Sequence, residues 1–191
     1  VAGVMADLIR EGKILHWGIS EATEEYLRRA HKVCPVTAIQ NRYSMMARWH
    51  ENLFPVLEEL GVGFVAFSPL ANGLLTDCYT ADTRFDTKTD YRASMPQFRP
   101  KSFEQNQRLF SFIERLADEY HATPSQIALA WMINKHPWIV PIPGTRHLSR
   151  LKENIGAVDI HLTTEEIRRI DAELDTIGMS DVFGGSPIKS K

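Results

Sequence analysis

Four short apolar segments, each followed by a stretch with helical periodicity, constrain the fold of this chain more than any other feature. The segments span residues 13–19, 36–40, 62–67 and 138–142. Apolar strands that alternate with helices are typical of a parallel sheet covered by helices. The sequence therefore predicts an α/β fold, which is either an open doubly wound sheet or part of a (β/α)₈ barrel.

The turn after the first strand distinguishes these two architectures. A doubly wound dinucleotide-binding sheet carries the glycine-rich pattern G-x-G-x-x-G at this point. Here residues 17–21 read W-G-I-S-E, which lacks that pattern and favours the barrel. A closed barrel has eight strands over about 250 residues. We therefore predict a partial (β/α)8 TIM barrel, about four strands with covering helices, as a single partial domain over residues 1–191.

Three local features complete the predicted organisation. Thr123 before Pro124 and Thr163 three residues before Glu166 are typical of helix starts, the second as a capping box. A polar segment at about 77–101 is long enough to be either a functional loop or disordered. The first helical pattern begins at Val1 without a preceding cap residue, from which we expect that upstream sequence is missing.

The composition argues against several classes of protein. A formal net charge of -2 shows no basic excess that would suit nucleic acid. We also expect no membrane-spanning helix, since no apolar run approaches the roughly 18 residues that one requires, and we see no secretory signal. Two cysteines without a C-x-x-C pair, and histidines without ligand spacing, predict neither a disulfide framework nor a metal site. A cytoplasmic location is the simplest expectation.

Polar and aromatic side chains follow the predicted strands at their carboxyl ends, where the active sites of such barrels lie. Ser20 and Gln40 can donate and accept hydrogen bonds, which suits a carboxamide. Phe67 offers an aromatic face to a heteroaromatic ring. Residues 144–150 place a Gly-Thr pair and two arginines around a helix start, which predicts a phosphate site.

Five motifs occur in the order and spacing of one family. They are E-G-K-I-L-H-W-G-I-S at 11–20, P-V-T-A-I-Q at 35–40, G-V-G-F-V-A-F-S-P-L at 61–70, T-P-S-Q-I-A-L-A-W at 123–131, and I-P-G-T-R with R-L-K-E-N within 142–154. With these motifs the chain resembles the aldo-keto reductases over essentially its whole length. The resemblance implies an NADP(H)-dependent oxidoreductase that reduces small-molecule aldehydes or ketones. This chain would supply the C-terminal, cofactor-binding half of its barrel.

The resemblance also implies which residues contact NADP(H). The positions are Ser20 and Gln40 at the nicotinamide carboxamide, Phe67 stacked on the nicotinamide ring, Ser68, Leu70 and Asn72 along the pyrophosphate, Gly144, Thr145, Arg146 and Arg150 around the 2′-phosphate, and Glu153 and Asn154 at the adenine. In the family Phe67 is usually Tyr, Gly144 is often Lys and Glu21 is often Asn. We therefore expect Arg146 and Arg150 to supply more of the charge at the 2′-phosphate.

The family's catalytic Asp, Tyr, Lys and His lie on earlier strands, and the resemblance assigns no catalytic residue to this chain. His16 belongs to the strand after the one that carries the catalytic histidine, so the chain alone is expected to be inactive. Two alternatives stay open: a non-catalytic NADP(H)-binding subunit, like the potassium-channel β subunits, and an inactive truncated product that self-associates through exposed sheet edges. In the 77–101 segment, Arg92, Phe98 and Arg99 are the expected contacts to cofactor or substrate.

Overall fold

One parallel sheet of four strands organises the chain. The computed structural model describes residues 1–183, so that residues 184–191 of the predicted domain lie outside the described part. The strands are β1 (Gly18–Ser20), β2 (Ala38–Arg42), β3 (Gly63–Phe67) and β4 (Ile139–Pro141), and they neighbour one another in chain order. The helices are α1 (Ala2–Arg10), α2 (Glu24–Val33), α3 (Phe54–Leu60), α4 (Pro100–Gln105), α5 (Gln107–Glu119), α6 (Pro124–Lys135), α7 (Leu148–Ile155) and α8 (Thr164–Asp175).

The two faces of this sheet have different environments. Ile39, Phe64 and Ile139 are buried and share one apolar core with residues of the helices, including Trp131 of α6. On the opposite face Gln40 is exposed and Val140 is 54% exposed. Parallel strands in sequential order with helices on one face are the arrangement of a barrel segment. The predicted partial-barrel class is confirmed.

The helix starts predicted at Thr123 and Thr163 are confirmed, because capping chemistry is local. Each threonine accepts a hydrogen bond from the backbone three residues later, and the side chains of Gln126 and Glu166 bond back to the cap. Such caps contribute typically ~1 kcal/mol to stability. The residues at which α6 and α8 begin are therefore set by their own local sequence.

Two predicted elements differ from the structure. The sequence predicts a first strand over 13–19, but only Gly18–Ser20 pairs with β2, and Leu15 is 80% exposed. The periodicity predicts a single helix from residue 102 to 120, but α4 and α5 are separated at Asn106. The fully buried Asn106 donates from Nδ2 to Ser180 Oγ and accepts from the Ser180 amide through Oδ1, both at 2.8 Å. A distant segment thus fixes this break.

A partly buried ionic cluster ties the loop after β2 to α6 and α8. Lys135 Nζ donates to Glu51 Oε1 at 2.7 Å and to Asp171 Oδ2 at 2.8 Å, and its side chain is 9% exposed. Glu51 also accepts hydrogen bonds from Arg48 and from the Tyr43 hydroxyl. Burial by itself would raise the pKa of Glu51, but these three donors outweigh it and lower that pKa. The ionised carboxylate is therefore the stable form in the folded protein.

At Gly18 of β1, any side chain would overlap the backbone of β2. A substitution at this position therefore tests the contact between the two strands. A Cβ at Gly18 would lie 2.6 Å from the carbonyl oxygen of Ala38 on β2. Gly18→Ala is therefore expected to lower the free energy of unfolding by roughly 1–3 kcal/mol, because the strands must separate locally. Chemical denaturation measures this. Gly3→Ala is the control, since Gly3 lies in α1 with nothing within 4 Å and alanine favours helix; equal losses in both variants would contradict the strand contact.

Candidate functional site

A cleft of about 620 Å³ opens beside the carboxyl end of β3. One wall is the strap, which we define as residues 77–101, and the other is the segment from 142 to 154. Between them lies the loop that follows β3. Nine of the twelve predicted cofactor positions line this cleft: Ser68, Leu70, Asn72, Gly144, Thr145, Arg146, Arg150, Glu153 and Asn154. The volume lies within the usual 300–1,000 Å³ of small-molecule sites.

The loop after β3 has unusual backbone geometry. Ser68, Ala71 and Asn72 have φ angles of 52°, 49° and 62°, in the left-handed region that side chains other than glycine rarely adopt. Such residues cost free energy and cluster at ligand-binding sites. The Ala71 amide donates to the Ser68 carbonyl at 2.9 Å, which keeps the loop compact at the mouth of the cleft.

The side chain of Asn72 is held by three partners. Its Oδ1 accepts from Gln97 Nε2 at 3.3 Å and from Arg42 Nη1 at 3.4 Å, and its Nδ2 donates to the Tyr91 hydroxyl at 3.4 Å. Gln97 is fully buried, and its Oε1 accepts from the Phe183 amide at 2.8 Å. Oδ1 is occupied, and one of the two Nδ2 hydrogens is donated to Tyr91. The second Nδ2 hydrogen remains for donation, which suits an anionic group in the cleft.

The far end of the cleft has the chemistry of an anion site. Helix α7 begins at Leu148 without a side-chain cap, so that amides of its first turn lack helical partners. Thr145 Oγ1 accepts from the His147 amide at 3.1 Å and shapes the turn that enters the helix. Arg146 and Arg150 flank this turn, and both line the cleft. A helix N-terminus with two guanidinium groups attracts phosphate.

An acidic side chain of the strap faces this basic end. Hydrogen bonds from Arg92 lower the pKa of Asp90, and the positive charge of Arg146 contributes in the same direction. Arg92 also lies over the rings of Tyr79 and Phe85, at 5.2 and 4.6 Å from their centroids. Arg92 thus links Asp90 to two aromatic side chains of the strap at this wall of the cleft.

The three remaining predicted positions lie on the sheet edge next to the cleft. Ser20 and Gln40 are register partners on β1 and β2, and Ser20 Oγ donates to the Gln40 carbonyl at 3.2 Å. Phe67 ends β3 directly before the cleft residue Ser68. The guanidinium carbon of Arg42 lies 4.8 Å from the centroid of the Phe67 ring. None of these three lines the cleft itself. Ser20 and Phe67 are the last residues of β1 and β3, whereas Gln40 lies in the middle of β2, which continues to Arg42.

Some expected contacts differ in detail. Of the three strap residues predicted to contact cofactor or substrate, Arg92 lines the cleft and Arg99 does not. Phe98 is buried, with its ring centroid 5.5 Å from that of Tyr79 and 5.0 Å from that of Phe85. Phe98 supports the strap from beneath because its large apolar surface is buried there. Glu153 lines the cleft, and its Oε1 accepts from Thr123 Oγ1 at 2.7 Å, so that Oε2 is the oxygen left free by this bond.

Sequence reasoning missed Arg42 and Gln97, which hold Asn72 and, for Arg42, contact Phe67. The sequence predicts that the second strand ends at residue 40, whereas β2 extends to Arg42 and places this side chain at the carboxyl end of the strand. For Gln97 no local signal exists, because its partners come from residues 72 and 183.

The described residues carry no indication of other common site types. Within residues 1–183, no helix has both the length and the apolar character needed to cross a membrane. The same part of the chain contains no group of three or more His, Cys, Asp or Glu side chains arranged to hold a metal ion. Cys34 is buried and Cys78 is exposed, and both are free thiols.

Comparison with known proteins relates this cleft to a family. The model of the Aldo/keto reductase family matches residues 1–175. Aldo-keto reductase str7 of Strobilurus tenacellus is 38% identical over 172 residues, which are 88% of this chain and 51% of that protein. Probable aldo-keto reductase 1 of Glycine max is 35% identical over 184 residues, which are 96% of this chain and 52% of that protein. The chain thus spans about half the length of the curated relatives it matches.

Solved structures show the same relation. The glycerol dehydrogenase AKR11B4 from Gluconobacter oxydans superposes on this chain with a TM-score of 0.81 and 26% identity. The match covers 100% of this chain and 56% of that protein. An aldo-keto reductase from Klebsiella pneumoniae, determined in complex with NADPH, covers 88% of this chain and 51% of its own, with a TM-score of 0.63 and 25% identity. On the sequence match over residues 1–175 and these relatives, the chain belongs to the aldo/keto reductase family.

Proposed function

We propose that this protein is an NADP(H)-dependent oxidoreductase that reduces aldehydes or ketones of small molecules, and that this chain supplies its cofactor-binding half. One observation carries the proposal: a single cleft joins an anion site at the start of α7 to a strained polar loop at the carboxyl end of β3. A dinucleotide with a terminal 2′-phosphate has this distribution of charge. Bound NADPH would supply the hydride for carbonyl reduction.

The phosphate groups of NADP(H) fit the polar groups of the cleft. In the proposal, Arg146 and Arg150 bind the 2′-phosphate, with the Thr145 hydroxyl and the first-turn amides of α7 as neutral donors. Gly144 exposes backbone there because nothing lies within 4 Å of its Cβ position. Ser68, Leu70 and Asn72 border the pyrophosphate, toward which Asn72 offers Nδ2.

The two ring systems occupy opposite ends in this proposal. Ser20 and Gln40 hydrogen bond the nicotinamide carboxamide, and Phe67 stacks on the nicotinamide ring. Glu153, through its free Oε2, and Asn154 contact the adenine. No residue of the chain is assigned a catalytic role, so we expect binding without turnover from the 191-residue chain alone.

Direct titration tests the proposal. NADPH and NADH are added separately to the purified chain, and binding is followed by the fluorescence of the reduced nicotinamide and of the protein's tryptophans. We expect NADPH to bind at least about tenfold more tightly than NADH, because only NADPH presents a dianionic phosphate to two arginines. Displacement of NADPH by 2′,5′-ADP should confirm the phosphate end.

Two other results would change the conclusion. Equal affinities for NADPH and NADH would contradict the assignment of the 2′-phosphate site. If the longer protein that contains this chain binds NADPH but reduces no aldehyde or ketone in a broad panel, the non-catalytic cofactor-binding subunit becomes the better description.

A further inference from the structure

Arg42 is a buried cation without a close counter-ion. The residue is 8% exposed, and within residues 1–183 no carboxylate oxygen lies within 4.0 Å of its guanidinium. Its side-chain hydrogen bond goes to a neutral group, Asn72 Oδ1, at 3.4 Å. Burying a charged side chain costs free energy unless an opposite charge or hydrogen-bond partners compensate for the lost hydration.

The neighbours of Arg42 place its charge at one end of the candidate site. Its guanidinium carbon lies 4.8 Å from the Phe67 ring centroid, so one face of that ring is covered by a cation. Arg42 and Phe67 are register partners at the ends of β2 and β3 and project from the same side of the sheet. Phe67 is half-buried, so that part of its side chain remains accessible.

We propose that Arg42 is a specificity-determining residue that makes the site bind reduced NADPH in preference to oxidised NADP⁺. The inference rests on the proposed function, in which the nicotinamide stacks on Phe67. The oxidised ring carries a positive charge and the reduced ring is neutral, whereas the phosphates of both forms are identical. A fixed cation on the far face of Phe67, less than about 10 Å from the stacked ring, therefore opposes the oxidised form alone.

A second charge modulates this effect. Burial lowers the pKa of Arg42, and the negative charge of Glu21, at the end of β1, acts in the opposite direction together with Tyr91. Glu21 lies beyond the 4.0 Å of an ion pair with Arg42, and its Oε2 is 4.0 Å from His50 Nε2. The pKa of His50 is lowered by burial, so this ring is neutral near pH 7 and adds no charge. Glu21 therefore offsets part of the Arg42 charge without neutralising it.

The competing role for Arg42 is direct binding of the pyrophosphate, because Arg42 touches Asn72. The two roles differ in what they predict. A pyrophosphate contact strengthens NADPH and NADP⁺ equally, since both contain the same two phosphates. A charge opposite the nicotinamide changes the ratio of the two dissociation constants and leaves 2′,5′-ADP, which has no nicotinamide, unaffected.

The experiment compares dissociation constants of NADPH, NADP⁺ and 2′,5′-ADP for the 191-residue chain and three variants, by isothermal titration calorimetry. Arg42→Met, which keeps the length of the side chain, should lower the ratio Kd(NADP⁺)/Kd(NADPH) by on the order of tenfold. Arg42→Lys should retain most of the ratio. Glu21→Gln should raise it, because the uncompensated Arg42 charge opposes the oxidised ring more strongly.

The outcomes separate this inference from the proposed function. An unchanged ratio in Arg42→Met overturns the redox preference, whether or not NADPH and NADP⁺ are weakened in parallel, and leaves the proposed cofactor binding intact. If the unaltered chain binds none of the three ligands, the proposed function fails and this inference fails with it. Thermal unfolding of each variant verifies that it is folded, and Arg42→Lys supplies the comparison should Arg42→Met not fold.

Discussion

Replacing Arg146 and Arg150 together with methionine is expected to weaken NADPH binding by about a hundredfold while NADH binding stays within about twofold. Both guanidinium groups line the basic end of the cleft beside the first turn of α7. A hydrogen bond to a charged group contributes roughly 1.5–3 kcal/mol, and exposure to solvent reduces that value. Removing both guanidinium groups from one phosphate should therefore lower the affinity by about two orders of magnitude.

The matched control for this variant is Lys152→Met on the same helix. Lys152 is exposed and lies outside the cleft lining, so its removal changes the net charge without touching the site. Affinities for NADPH and NADH are measured at two salt concentrations, since the arginine contacts should weaken with ionic strength. A parallel loss of NADH affinity in the double variant would show that the arginines bind another part of the dinucleotide.

Lys135→Met is expected to lower the free energy of unfolding by about 3 kcal/mol. The substitution removes one of the two cations that Glu51 and Asp171 share in this partly buried cluster, since Arg48 also lies 3.0 Å from Glu51 Oε1 and 3.8 Å from Asp171 Oδ1. Asp171 keeps the Trp131 indole as a donor at 2.9 Å, and Glu51 keeps Arg48 and Tyr43. The loss is therefore large but does not abolish folding.

Urea denaturation of Lys135→Met and of Arg28→Met provides the comparison. Arg28 bonds Glu24 and Glu59 in a well-formed but solvent-exposed group, so its replacement should leave the midpoint essentially unchanged. The pKa of Glu51 is lowered in the folded chain, so the stability from its ionised form is present above the ordinary carboxyl range and is lost as pH falls through the folded pKa. Similar losses in both variants at neutral pH would contradict the importance of burial in this cluster.

The parts of the fold that follow from local chemistry could be predicted from the sequence. The capping boxes at Thr123 and Thr163 and the alternation of strands and helices depend on residues a few positions apart. The break between α4 and α5 depends on Ser180, 74 residues beyond Asn106, and no helical periodicity records that contact. The length of β1 likewise depends on a partner strand elsewhere in the chain, because only Gly18–Ser20 pair with β2.

The candidate site shows the same division. Gly144, Thr145 and the two arginines lie within seven residues of one another, and the structure brings them to one cleft with the loop after β3. The sequence predicts either a functional loop or disorder for residues 77–101, and the structure makes this segment one wall of the cleft. Gln97 as a support of Asn72 was not predictable, because the contact joins distant segments. In the sequence Arg42 lies beyond the predicted strand at 36–40, and only the fold places Phe67 and Asn72 beside it.

The bond from the Phe183 amide to Gln97, and from Gln97 to Asn72, links the segment after α8 to the mouth of the cleft through two side chains. This link limits how freely the protein can exchange parts with its relatives. A tail grafted from another member brings its own backbone path, and Gln97 must change with it or lose a buried partner. The segment after α8 and the strap should therefore be exchanged together in any such graft.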